Sequence, residues 1–175
     1  MNSNGSAPIT LVAIDDDERN LEFITDVLSE DGLEIFSATD ARQGIELALK
    51  KHPAIVLLDL VFPELDGMKV LERIIENNPA IEVILMTGHY STDSAVEAIQ
   101  KGACDYLTKP LSAEKLRSRV GQLVQEARRR QKNLQLEQEL LQASGGHACQ
   151  GGWNRRYEVP WSPCPSDAGR AFRPQ

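Results

Sequence analysis

Five times within about 120 residues, a short apolar run is followed by an amphipathic stretch of helical spacing, a rhythm that few folds accommodate. Ile9–Ile14 is apolar and ends in Asp15-Asp16-Asp17; Leu21, Ile24, Val27 and Leu28 then recur one helical turn apart, with Gly32 as the expected stop. Residues 33–36 form a second short strand. Residues 41–50, with Ile45, Leu47, Ala48 and Leu49, form a helix that Pro53 prevents from continuing. Residues 54–58 are apolar throughout, as suits a strand buried on both faces. Val70, Leu71, Ile74 and Ile75 mark a helix that ends near Asn77-Asn78-Pro79, and residues 81–86 are another buried strand. Thr92–Gln100 is a helix followed by Gly102, residues 104–107 are a fifth strand, and a long helix begins near Ser112. Such alternation predicts an α/β fold: a doubly wound five-stranded parallel sheet, (βα)5, with right-handed crossovers and helices on both faces. Ligands of open sheets of this kind bind outside the carboxyl ends of the strands.

Four of the five predicted strands deliver a polar group of specific type to that edge. The first ends in Asp15-Asp16-Asp17, the third in Asp59 and the fourth in Thr87, while Lys109-Pro110 follows the fifth. Each residue alone has an ordinary structural explanation: residues 15–18 cap the first helix and favour its dipole, Asp59 opens a turn, Thr87 caps, and Lys109 is a surface charge. The set on neighbouring strand ends points instead to chemistry. Carboxylates converging in a small pocket repel one another and call for a cation, and hard oxygen ligands with room for water suit Mg²⁺. An aspartate nucleophile forms an acyl phosphate. A phosphoryl group in transfer spreads charge over three equatorial oxygens, so catalysis is chiefly positioning and electrostatic clamping. The metal, Lys109 and the Thr87 hydroxyl supply one clamp each.

The segments LVAIDDDE (11–18), IVLLDLVFPELDG (55–67) and ILMTGHYSTDSAVEAIQKGACDYLTKP (84–110) resemble the response-regulator receiver family in order, spacing and residue type, over about residues 8–125. The resemblance implies a flavodoxin-like, chemotaxis-regulator-like fold and a Mg²⁺-dependent phosphorylation switch whose phosphodonor is a sensor histidine kinase or phosphotransfer protein. It implies Asp59 as phosphoacceptor. Asp16 would be the direct metal ligand, Asp15 would act mostly through water, and the Val61 backbone carbonyl would be a further ligand. Thr87 would be the switch hydroxyl, Lys109 the phosphate-binding cation and Tyr106 the aromatic that changes rotamer. It also implies a cis Lys109–Pro110 bond. Departures are modest. Phe62 stands where Met often precedes the loop proline. His89 occupies a position that tunes acyl-phosphate lifetime in the family and otherwise reads as an exposed loop residue. Asp17 extends the acidic pair and reads as a helix cap.

Three rival readings are weaker. A haloacid-dehalogenase-like phosphohydrolase would match Asp15-x-Asp17, yet it needs a further acidic pair on a strand after the lysine, where Pro110 and a helix stand. A dinucleotide-binding domain needs a glycine-rich turn, and residues 15–20 contain no glycine. A receiver-like module that is never phosphorylated does not explain why every catalytic position is filled.

Charge divides the chain. Residues 1–112 hold 20 acidic against 8 basic side chains, and residues 113–175 hold 6 against 11. An acidic domain repels nucleic-acid phosphates, and the basic stretch 128–132 reads as a solvated helix face, so no nucleic-acid contact by the receiver is expected. The first eight residues lack a signal-peptide pattern, and no apolar run approaches the ~18 residues of a membrane span. Cys104, Cys149 and Cys164 show no ligand spacing, which suits a reducing cytoplasm. The expected organisation is a disordered N-terminus (1–8), the receiver (9–125), a helical extension or coiled-coil linker (126–143) and a disordered tail (144–175). Leu116, Val120, Leu123, Ala127, Leu134 and Leu141 follow helical spacing, with Arg130 and Glu137 interrupting. Two outputs are open. A homodimer would form through the face of the fourth helix, fifth strand and fifth helix, extended by the leucines beyond Arg128; alternatively, the same face would dock a separate protein.

Overall fold

The computed structural model describes residues 7–29, 32–63, 65–88 and 92–144. Strand and helix alternate as β1 (Ile9–Ile14), α1 (Glu18–Leu28), β2 (Leu33–Ala38), α2 (Ala41–Lys51), β3 (Ile55–Asp59), α3 (Gly67–Asn77), β4 (Glu82–Thr87), α4 (Thr92–Gln100), β5 (Asp105–Thr108) and α5 (Ala113–Ser144). The strands form one parallel sheet in the order β2-β1-β3-β4-β5. This is the doubly wound, flavodoxin-like arrangement, in which the chain changes direction between β1 and β3 and leaves a crevice at their carboxyl ends.

The two-residue period of the strands sorts the core into two layers. Val12, Ile14, Val56, Leu58, Val83 and Leu85 face Ala48 of α2, Leu71 and Ile74 of α3 and Ala98 of α4. Leu11, Ala13, Ile55, Leu57, Ile84 and Met86 face Leu21 and Ile24 of α1 and Leu116 and Val120 of α5. The central strand β3 is buried along its whole length, as its unbroken apolar run requires. Three helices start on an aspartate whose side chain accepts backbone N–H groups of the first turn: Asp17 from Arg19, Asp40 from Arg42 and Gln43, and Asp66 from Met68.

Several boundaries differ from the sequence reading. Gly32 is not the stop of α1, which ends at Leu28 with Ser29 as cap; Gly32, at φ 86°, leads into β2, and its carbonyl accepts the Ile9 N–H. β2 continues through Ser37 to Ala38 because β1 pairs with it along its full length. β4 and β5 each sit one residue later than the apolar runs suggest, since Thr87 pairs with Thr108 at the sheet's end. Thr87 is thereby the last residue of its strand.

α5 is one continuous helix across the expected boundary at residue 125. Leu116, Val120 and Val124 are buried, and Ala127 still packs on the core. The Arg130 guanidinium meets Glu82 at the start of β4 at 2.6 Å. Beyond it Leu134, Leu136, Leu140 and Leu141 are exposed. No helix among the described residues is long and apolar enough to cross a membrane. The expected tail beyond Ser144 and most of the expected N-terminal segment (residues 1–6) lie outside the described residues.

Candidate functional site

Three consecutive aspartates follow β1 and take three different environments. Asp15 is fully buried. Its Oδ1 accepts the Asp17 N–H at 3.0 Å, and the Asn20 side-chain amide lies 3.2 Å from each of its oxygens. Asp16 is exposed, and Asp17 is exposed and caps α1. The capping explanation thus applies to Asp17, while Asp15 turns into the sheet edge.

Asp59, at the end of β3, is only 3% exposed. Its Oδ1 accepts the Val61 N–H at 3.3 Å, and its Oδ2 accepts a hydrogen bond from Lys109 Nζ at 2.6 Å. Lys109 Nζ also lies 2.7 Å from Asp15 Oδ2, so one ammonium group bridges two buried carboxylates from different strands. The lysine is anchored by its own backbone, whose N–H donates to the Thr87 carbonyl at 2.7 Å, and the Lys109–Pro110 bond is cis. Thr87, whose carbonyl receives that N–H, is 7% exposed. Tyr106, half-buried on β5 beside Leu85 of β4, packs against the core layer that holds α3 and α4. The structure therefore brings Asp15, Asp16, Asp59, Thr87 and Lys109 to one edge and sets Tyr106 one strand away. His89 lies outside the described residues.

Burial dominates the electrostatics. It pushes the Asp59 carboxyl above its ordinary value, against the hydrogen bond and charge of Lys109 and with a smaller push from Asp15. Burial alone would lower the Lys109 ammonium, but its hydrogen bonds to Asp15 and Asp59 outweigh that and hold it above its ordinary value. Carboxylate oxygens of Asp15, Asp16 and Asp59 lie within 4.8 Å of one another. One lysine charge does not balance three carboxylates in that space, and an all-oxygen donor set with one exposed member fits a small hard dication. Asp15 already accepts three kinds of donor, whereas Asp16 faces solvent. A cleft of about 180 Å³ opens beside Asp16, bordered by Thr39, Asp40, Phe62 and Pro63.

Nothing in the sequence marks Asn20 as part of this site. It stands in the first turn of α1, where an asparagine reads as a helix-start residue, and only the fold shows its amide turned back on Asp15.

Residues 11–121 match the family described as response regulator receiver domain. The chain is 38% identical over 112 residues to the transcriptional regulatory protein HprR of Escherichia coli strain K12, covering 63% of this chain and 49% of that protein. It is 36% identical over 108 residues to the transcriptional regulatory protein ZraR of Klebsiella oxytoca, covering 62% of this chain and 24% of that one. The chain thus spans half or less of the length of these relatives. Among solved structures, a response regulator receiver domain protein from Clostridium thermocellum superposes with a TM-score of 0.63 at 30% identity, over 69% of this chain and 97% of that one. The receiver domain of NtrX from Brucella abortus does so with a TM-score of 0.61 at 28% identity, over 66% and 98%. The family acts as a signalling switch. By the matched residues and by the sheet and strand-end site they build, this chain belongs to the response regulator receiver domain family of two-component systems.

Proposed function

We propose that Asp59 accepts a phosphoryl group from a phosphohistidine of a sensor histidine kinase or phosphotransfer protein. The observation that carries this reading is the Lys109 ammonium held at 2.6 and 2.7 Å between the buried carboxylates of Asp59 and Asp15, with Thr87 alongside. An Asp59 carboxylate oxygen forms the new O–P bond as the P–N bond of the donor breaks, and the electron pair of that bond stays on the imidazole nitrogen. Lys109 Nζ and the Thr87 hydroxyl each take one equatorial oxygen of the transferring group. Mg²⁺, when bound, supplies the charge that lets an anionic donor approach an anionic nucleophile. Asp16, Asp59 and the Val61 carbonyl would hold it, with Asp15 acting through water. The cleft bordered by Thr39 and Phe62 gives the donor side chain an approach beside Asp16. Water attacking the acyl phosphate reverses the modification slowly. The protein is then a cytoplasmic switch that catalyses its own phosphorylation and not a turnover enzyme.

The output follows from where the added charge is engaged. Thr87 ends β4, Tyr106 lies on the adjacent edge strand β5, and Val96 and Ile99 of α4 are about half exposed. Phosphorylation changes the α4-β5-α5 face and with it the pairing of two copies, the exposed leucines of α5 extending the contact.

Intact mass after incubation with Mg²⁺ and acetyl phosphate tests the chemistry. One added phosphate, absent in Asp59→Asn, is the expected result. No addition despite demonstrated Mg²⁺ binding would favour a receiver-like module that is never phosphorylated. Sustained phosphate release from unrelated phosphomonoesters would favour a phosphohydrolase.

A further inference from the structure

We infer that Gly67 is a positioning residue of the metal site, its missing side chain setting where the Asp59–Val61 backbone lies. Gly67 opens α3, directly after the cap Asp66, and its N–H donates to the Leu60 carbonyl at 3.2 Å. Asp66 forms an isolated antiparallel bridge with Val61. The turn after β3 is thereby closed onto the first residue of α3. A Cβ placed on Gly67 would lie 2.5 Å from Leu60 Cα, 2.6 Å from the Leu60 oxygen and 2.8 Å from the Asp59 oxygen, whereas ordinary contact begins at 3.4 Å. All three atoms are backbone, so no rotamer change relieves the overlap. Two anchors resist the movement: the Leu60 N–H is tied to the Met86 carbonyl at 3.1 Å, and the Asp66 side chain accepts the Met68 N–H at 2.9 Å.

The segment that must yield is the one bearing two of the groups proposed to hold the metal, the Asp59 carboxylate and the Val61 carbonyl. Asp15 and Asp16 lie in the turn between β1 and α1, whereas the atoms nearest the added Cβ are all backbone of Asp59 and Leu60. A methyl group at position 67 therefore displaces one half of the donor set against the other. The consequence depends on the ion. Mg²⁺ demands near-ideal octahedral geometry, whereas Ca²⁺ accepts longer and less regular bonds. Steric disturbance of Gly67 should weaken Mg²⁺ more than Ca²⁺, a selectivity signature that mere loss of stability does not produce.

The inference rests on the metal reading above, and calorimetric titration separates the two. The 175-residue chain, Gly67→Ala, Asp66→Ala and the control Gly88→Ala are each titrated with MgCl₂ and with CaCl₂, with amide NMR spectra recorded alongside. In Gly67→Ala, Mg²⁺ affinity should fall by about tenfold, the scale on which groups supporting metal ligands act. Ca²⁺ affinity should fall less. Amide shifts should concentrate between residues 59 and 67. Asp66→Ala keeps the glycine but removes the cap that holds the turn, so it should move the same ratio in the same direction by less; it also keeps the test open if Gly67→Ala does not fold. Gly88 has open space where a Cβ would go, and its alanine variant should leave both affinities unchanged. If the wild type binds Mg²⁺ and neither Gly67→Ala nor Asp66→Ala alters the Mg²⁺-to-Ca²⁺ ratio, the inference is overturned and the metal reading stands. If the wild type binds no Mg²⁺, both fall.

Discussion

Asp59 is buried as a carboxyl at a cost to the fold. Burial raises its carboxyl above the ordinary 3.8, so over the interval between that value and its own the folded state keeps a proton the unfolded chain has released. Stability therefore falls as pH rises through that interval, and above it the buried charge destabilises fully. Asp59→Asn should raise the melting temperature by a few degrees at neutral pH, with the gain shrinking to nothing below about pH 3.8, where the wild-type carboxyl is protonated in both states. Melting curves from pH 3 to 7 check this; a gain independent of pH would assign the effect to packing. Lys109 shifts stability with pH in the same direction, though here it is the charged form that stabilises. Its ammonium is held above the ordinary 10.5, so its contribution is complete below that value and is lost as pH rises through its folded value. The exposed Asp16 adds like charge without a hydrogen-bond network, so Asp16→Ala should abolish Mg²⁺ binding and phosphorylation while leaving the melting temperature unchanged or slightly higher. Normal Mg²⁺-dependent phosphorylation of that variant would remove Asp16 from the metal site. Cys104 has no part in this chemistry. Burial first, then Glu82 and Asp105, push its thiol up to about 12, which leaves it protonated and slow to alkylate at neutral pH.

The elements show what periodicity reveals and what it misses. β1, β3 and the carboxyl-end cluster were legible because burial on both faces demands unbroken apolar runs, and because Asp15, Asp59, Thr87 and Lys109 fall at or just beyond strand ends. Ser37 and Thr108 were harder. A polar residue inside an edge strand is held by backbone pairing, here with β1 and β4, which the sequence does not display. Gly32 misled for a related reason: glycine marks a positive φ without saying whether a helix stop or the entry to a strand requires it. Asn20 and Gly67 were invisible as site residues, since one acts through a side chain folded back across a helix turn and the other through the absence of a side chain. The glycine in α5 makes a clean contrast with Gly67. Gly121 has nothing within 4 Å of its would-be Cβ and lies mid-helix, so Gly121→Ala should stabilise the protein by about 1 kcal/mol. Asp40→Ala, which strips two capped N–H groups from α2, should destabilise it by about 1 kcal/mol. Denaturant midpoints of the two variants should therefore shift in opposite directions.

At the scale of the whole molecule, the proposed phosphorylation site and the projecting helix lie at opposite ends of β4. Thr87 closes the strand beside Asp59, while Glu82 opens it and holds Arg130 of α5. Up to Arg130 the helix is fixed to the domain by buried Leu116, Val120 and Val124, by the Arg117 side chain on the Val27 carbonyl and by the ion pair of Arg119 with Asp105. Beyond it, fourteen residues extend roughly 20 Å, with Leu134, Leu136, Leu140 and Leu141 exposed. Leu134 and Leu141, 59% and 72% exposed, are seven residues apart on the same stripe as buried Leu116 and Val120, so the apolar stripe that packs on the sheet continues beyond Arg130. Such a short apolar seam is marginal as an isolated pair of helices. It gains when the α4-β5-α5 faces of the same two copies also meet, because the second contact then forms within an already joined pair. Dimerisation should therefore respond steeply to phosphorylation. Light scattering at micromolar concentration should show a rise in mass on adding beryllofluoride with Mg²⁺. A double substitution Leu134→Ser, Leu141→Ser should weaken that dimer while leaving phosphorylation intact. No change in mass on activation would sink the dimer switch and leave the same face to a separate partner. An unchanged dimer in the leucine variant would confine the contact to the domain.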